Sequence, residues 1–95
     1  MSGSRESAQR RRIEQRREIR FPASGEVRLW LDDESQEIEG RLIDVSAGGF
    51  RATHNFASLG SGQLVRFRHL AAGGKARVIW NRIVGRKVET GFLVL

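Results

Sequence analysis

Ninety-five residues, 39% apolar and 7% aromatic, suffice for one small domain with a single core. The lack of cysteine excludes disulfides and thiolate metal sites, and no apolar run reaches the roughly 20 residues of a membrane-spanning helix. A net charge of +6 implies an anionic partner and leaves its size open.

The charge is unevenly placed. Residues 1–20 carry seven arginines against three glutamates, a net of +4, whereas residues 21–95 carry only +2. Only Lys75 and Lys87 are lysines; the other basic residues are arginine, which forks onto phosphate or a guanine edge and stacks on bases. The polar N-terminus has no apolar h-region, so no secretory signal is expected, and a cytoplasmic location follows. Residues 5–18 are good helix formers but include one apolar side chain, Ile13, and so offer no face to bury. The pattern predicts a flexible basic arm over residues 1–15 and a domain over residues 16–95. Pro22 pushes Phe21 toward extended backbone.

Beyond Pro22 short alternating segments are separated by turn residues. Val27, Leu29 and Leu31 alternate with Arg28 and Trp30, and residues 32–35 supply a turn. Ile38, Gly40 and Leu42 share a face of the next strand, which ends at Asp44. Gly48 and Gly49 allow a sharp reversal or a positive φ. A strand restarts at Phe50, and residues 54–62 form a longer loop anchored by Phe56 and Leu59. Residues 63–70 alternate again, and residues 71–74 read as a tight connection. Ala76, Val78 and Trp80 are expected on one face of the following strand, with Arg77, Ile79 and Asn81 on the other. After a turn at Gly85, Val88, Thr90, Phe92 and Val94 alternate. Six strands of about 5–9 residues with hairpin-length links predict an all-β fold, a small six-stranded antiparallel β-barrel.

Two motifs carry chemistry. Arg16 and Arg20, with Arg17 between them, can grip phosphate bidentately, stack on a purine, or bond to the guanine O6/N7 edge. An isolated arginine run is more often a solvated basic segment. Asp44-x-Ser46-x-x-Gly49 places a carboxylate, a hydroxyl and backbone N–H groups at a strand end. A carboxylate there can accept from guanine N1–H and N2–H, and the hydroxyl and amides can hold phosphate or base oxygens. Alone, the same residues also describe a side-chain-stabilised turn, and Asp44 could pair with an arm arginine.

Taken together, R-x-x-x-R closed by Phe21-Pro22, and D-x-S-x-x-G beginning 24 positions after Arg20, resemble the signature of PilZ domains, bacterial receptors for cyclic di-GMP. The resemblance extends from about Gln15 to Leu95 and includes residues 76–80 and Gly91-Phe92. It implies a six-stranded antiparallel barrel preceded by a flexible arginine segment. It also implies that Arg16 and Arg20, with Arg17 beside them, bind phosphates and guanines, and that Asp44, Ser46 and Gly49 form the guanine-binding rim. Trp80 resembles a residue that packs against guanine in some members; a plain core tryptophan is the other reading. Many members carry another arginine immediately before the motif, where this chain has Gln15, a position associated with binding one ligand or an intercalated pair.

The expected function is therefore a non-enzymatic cyclic di-GMP receptor, with no cofactor and no metal, whose arm folds over the ligand and signals to a downstream protein partner. Ser46 has no neighbouring histidine to activate it, and His54 and His69 read as structural. A small basic barrel binding single-stranded nucleic acid is an alternative. The near balance of charge over residues 21–95 and the lack of a visible aromatic-basic stripe argue against it. A PilZ-like adaptor acting by protein contact alone, without ligand, is another.

Overall fold

Period-two alternation builds seven strands, and in this computed structural model, which describes residues 19–31, 36–70 and 72–95, they form one antiparallel sheet. They are β1 (Phe21–Pro22), β2 (Glu26–Leu31), β3 (Glu37–Val45), β4 (Gly49–His54), β5 (Leu64–His69), β6 (Ala72–Val84) and β7 (Lys87–Val94). The order β1-β3-β2-β5-β6-β7-β4 is joined by a β3–β4 pairing, so six strands close into a barrel and β1 lies outside on β3. There is no helix among the described residues. The expected all-β six-stranded barrel is what the chain forms, with the two-residue β1 in addition. The predicted arm at residues 1–15 and the turn at residues 32–35 lie outside the described residues.

The inward positions fill the barrel. Val27 and Leu29 of β2, Ile38 and Leu42 of β3, Phe50 and Ala52 of β4, Val65 and Phe67 of β5, Ala76 and Val78 of β6 and Phe92 of β7 are buried together. Phe50 sits at the centre, stacked on Phe92 at 4.6 Å and tilted against Phe67 at 4.8 Å between ring centroids. Offset aromatic contacts of this kind add about 1 kcal/mol beyond their area. Leu59 is buried and Phe56 packs against the core, so the loop after β4 has the two anchors expected of it.

Two strand readings need correction. Residues 72–74 of the predicted 71–74 connection belong to a strand instead: β6 begins at Ala72, and Gly73 and Gly74 pair with Arg68 and Phe67. Trp80 does not continue the face of Ala76 and Val78. The register slips between Val78, opposite Phe92, and Trp80, opposite Gly91, so two residues of β6 oppose one of β7. Such a bulge turns the following side chains to the other face, here outward. A second slip, between Leu42 opposite Ala52 and Asp44 opposite Arg51, does the same for Asp44 on β3. Each feature removes one step from an alternation that looks unbroken in the sequence.

A buried hydrogen-bond chain ties the long loop to the barrel. The Phe56 N–H donates to His54 Nδ1 at 3.0 Å, which leaves the proton of the neutral imidazole on Nε2, 2.7 Å from Thr90 Oγ1. Thr90 Oγ1 donates to Asn81 Oδ1 at 2.6 Å, and Asn81 Nδ2 donates to the Leu59 carbonyl at 2.7 Å. Burial holds the His54 pKa below its ordinary 6.5, and burial does the same to His69. An unfolded chain therefore takes up these protons first. Stability is fully present above pH 6.5 and falls as pH drops below it, by at most about 1.4 kcal/mol per pH unit for each histidine. Thermal melts from pH 7.5 to 5 should show that fall. His54→Gln should flatten it at the cost of a lower melting temperature throughout, and an unchanged slope would assign the effect to His69.

Candidate functional site

Strand register collects residues far apart in the chain into one transverse row. Pro22 of β1 lies opposite Asp44 of β3, Asp44 opposite Arg51 of β4, Arg51 opposite Gly91 of β7, and Gly91 opposite Trp80 of β6. The two bulges place both Asp44 and Trp80 in this outward row. Gly91 is where the row comes closest together: a Cβ there would fall 2.5 Å from the Trp80 indole, so the ring lies directly over the β7 backbone.

Asp44 is the centre of the polar part. Although outward, it is only 5% exposed. Arg51 Nε donates to its Oδ2 at 2.8 Å and to Oδ1 at 3.1 Å, and Arg51 Nη2 also bonds Oδ2. Arg20 Nη1 donates to Oδ1 at 3.1 Å from the chain segment leading into β1. Burial pushes the Asp44 pKa up, but hydrogen bonding and charge from Arg51, and then from Arg20, outweigh it, so the carboxyl titrates below its usual 3.8. The same hydrogen bonding to Asp44 holds the Arg51 pKa above its ordinary value, against the opposing effect of desolvation.

The network continues sideways. Arg51 Nη1 lies 3.6 Å from Glu89 Oε1, and Arg82 Nη2 donates to that oxygen at 3.0 Å. The Arg82 guanidinium carbon sits 5.8 Å from the centre of the Trp80 ring, within cation–π range. Cation and anion thus alternate from Arg20 through Asp44, Arg51 and Glu89 to Arg82, with three guanidiniums around two carboxylates. A net positive outer surface with an aromatic ring at one end can hold an anion and a planar group side by side.

The turn beside this row accounts for Ser46 and Gly49. The Ser46 N–H donates to the Gly49 carbonyl at 2.8 Å, and its hydroxyl points to the same oxygen at 3.3 Å. The Gly48 carbonyl accepts from Val94 N–H at 2.8 Å, which fastens the turn to the end of β7. Neither Gly48 nor Gly49 takes the positive φ that their position suggested. Gly49 is needed for space: a Cβ would lie 1.9 Å from the Phe92 carbonyl oxygen.

Of the predicted site residues, Arg20, Asp44, Ser46, Gly49 and Trp80 fall in this one region, while Arg16 and Arg17 lie outside the described residues. Arg51, Glu89 and Arg82 were not anticipated. Arg51 could have been found by folding D-x-S-x-x-G as a hairpin and asking what stands opposite its aspartate. Two surface grooves, of about 690 and 480 Å³, lie elsewhere and include none of the predicted residues. No protein-family model matches the chain, and no curated protein matches it.

Proposed function

We propose that this protein is a PilZ-like receptor for cyclic di-GMP, read out by exchange of the partners of Asp44. The observation that carries the reading is the Arg20–Asp44 bond. It joins the second arginine of R-x-x-x-R to the acid of D-x-S-x-x-G, at 3.1 Å across 24 positions of sequence. Neither motif requires the other as a local structural device, and a shared ligand gives both a reason to meet.

Without ligand, Arg20 and Arg51 satisfy Asp44. Arg51 is held by three bonds to the carboxylate and a contact to Glu89, whereas Arg20 makes a single bond and its side chain is 41% exposed. Arg20 is therefore the replaceable partner. A guanine edge offers Asp44 two N–H donors in place of one, and the released Arg20 guanidinium meets a phosphate of the same ligand. Arg16 and Arg17 would add further phosphate and base contacts, and Trp80, capped by Arg82, would flank a guanine ring. The charge that keeps Arg20 at Asp44 in the free protein thus moves to the ligand. The reordered segment before β1 is the signal to a downstream protein.

Isothermal calorimetry tests this. Cyclic di-GMP should bind, and Arg20→Ala should weaken binding about 30-fold, the loss of roughly 2 kcal/mol from charge-assisted bonds. Arg86→Ala, at the β6–β7 turn, should change it little. An absence of heat at about 50 micromolar ligand, a concentration that detects even weak receptors, removes the reading.

A further inference from the structure

We infer that the outer face of β2, β5 and β6 is a second, independent binding surface, and that its ligand is single-stranded nucleic acid. This surface lies on different strands from the Asp44 row and does not rest on the cyclic di-GMP reading.

The register again does the assembling. Trp30 of β2 lies opposite Arg66 of β5, which lies opposite Lys75 of β6. In the next outward row Arg28 lies opposite Arg68, which faces Gly73, and Leu64 faces Arg77 in the row on the other side. Trp30, Leu64, Arg66, Arg68, Lys75 and the backbone of Gly73 and Gly74 line a groove of about 690 Å³, with Arg28 and Arg77 beside it. Gly73, opposite the outward Arg68, leaves the outer face of β6 without a side chain there, so the groove is open to a flat group. Arg66, Arg68 and Lys75 are exposed along it, and Arg77 is exposed one pair further on.

Charge gives the surface its direction. Between Asp44 and Glu89 the chain contains no carboxylate and eight basic residues. Among the described residues the acids near the groove stand on its far side: Glu26 and Glu37 pair with Arg28, at 2.6 and 3.7 Å, and Glu39 follows on β3. A polyanion is thus drawn to β5 and β6 and turned away from β3. The near balance of charge over residues 21–95, which argued against nucleic acid, averages an acidic first third with a remainder whose one acid is Glu89.

The kind of polyanion follows from shape. Arg66 and Arg68 stand two residues apart on a strand, about 6.7 Å, which suits successive phosphates of an extended strand. Trp30 offers a ring on which a base can stack, and stacking with a cationic track is how small barrels hold single strands. A duplex is read by an element that protrudes into its groove, whereas this face presents a groove of its own. An acidic peptide would satisfy the cations and leave the tryptophan unused.

Fluorescence anisotropy with the full chain and a labelled oligothymidylate of about 12 nucleotides provides the test. Binding should weaken with salt with a slope near −2 to −3, as about three or four phosphates are neutralised on a single strand. Arg68→Glu with Lys75→Glu should lower affinity at least about tenfold beyond the charge-matched Arg86→Glu with Lys87→Glu pair. Trp30→Ala should cost about tenfold and Trp30→Phe much less, with far-ultraviolet circular dichroism confirming the fold. Failure to bind the oligonucleotide overturns the proposal. So does equal loss in the two charge-reversed pairs, which would assign binding to the arginine-rich N-terminus. Polyglutamate or phosphatidylserine vesicles binding as tightly, with Trp30→Ala harmless, would replace the nucleic acid by a general anionic partner and refute it as well.

Discussion

Asp44→Ala should lower affinity for cyclic di-GMP by at least about 100-fold, or about 2.7 kcal/mol. The carboxylate is the acceptor through which Arg20 joins the two motifs, and its replacement removes the group that would receive both guanine N–H donors. It also leaves Arg20 and Arg51 facing each other without the anion between them. The stability cost should be about 2 kcal/mol. That is less than for a fully buried pair, because Arg20 and Arg51 keep contact with water. Asp44→Asn separates shape from charge, since it preserves the volume and one acceptor but should bind nearly as weakly. The acid profile supplies an independent readout. The folded carboxyl titrates below 3.8, so its contribution is present above that value and disappears as pH falls through the lower folded pKa. Acid denaturation of Asp44→Asn should therefore be shallower than that of the parent. Wild-type affinity in either variant would place the ligand elsewhere.

Gly49→Ala should be the most damaging single substitution to the fold, costing more than about 3 kcal/mol, a large part of a small domain's stability. The methyl group would meet the Phe92 carbonyl oxygen at 1.9 Å and its carbonyl carbon at 3.0 Å. Those atoms belong to the β7 backbone, which is itself bonded on its other side to β6, so neither strand can yield without opening the barrel. Gly60→Ala is the control, because the nearest atom to its Cβ is the end of the Gln63 side chain at 3.9 Å. Urea unfolding compares them. Equal midpoints for Gly49→Ala and the parent would contradict the close approach of β4 and β7. Loss of ligand binding in Gly49→Ala would follow from the fold alone and carries no weight for the site.

Much of the barrel was legible because its core obeys simple alternation: Val27 and Leu29, Ile38 and Leu42, and Val65 and Phe67 each point inward as their spacing dictates. The faces of Asp44 and Trp80 were not legible. A register slip depends on the partner strand, and the sequence of one strand does not state where two residues will share one opposite. The same limit hid Arg51, which sits mid-strand in no motif, and Trp30 beside Arg66, which are brought together only when β2 pairs with β5. Gly73 and Gly74 misled for a different reason. Consecutive glycines usually mark a turn, and here both are paired within a strand, Gly73 on the outer face that the groove crosses and Gly74 over the Phe67 ring. The acid-free run from residue 45 to residue 88 was on view throughout and lost its meaning when charge was averaged over the domain.

The closing of β3 onto β4 has a consequence for self-association. In a ring of six strands each has neighbours on both flanks, and the strand left over, β1, is two residues long and half proline. A second molecule seeking an open row of peptide groups finds one short stretch among the described residues, the end of β6 from Trp80 to Val84, which is strand-paired on its β7 flank alone. The valine-rich, β-prone segments that would otherwise nucleate fibrils are thereby kept from one another while the ring holds. Aggregation of this protein should track the population of unfolded chains more closely than the concentration of native ones.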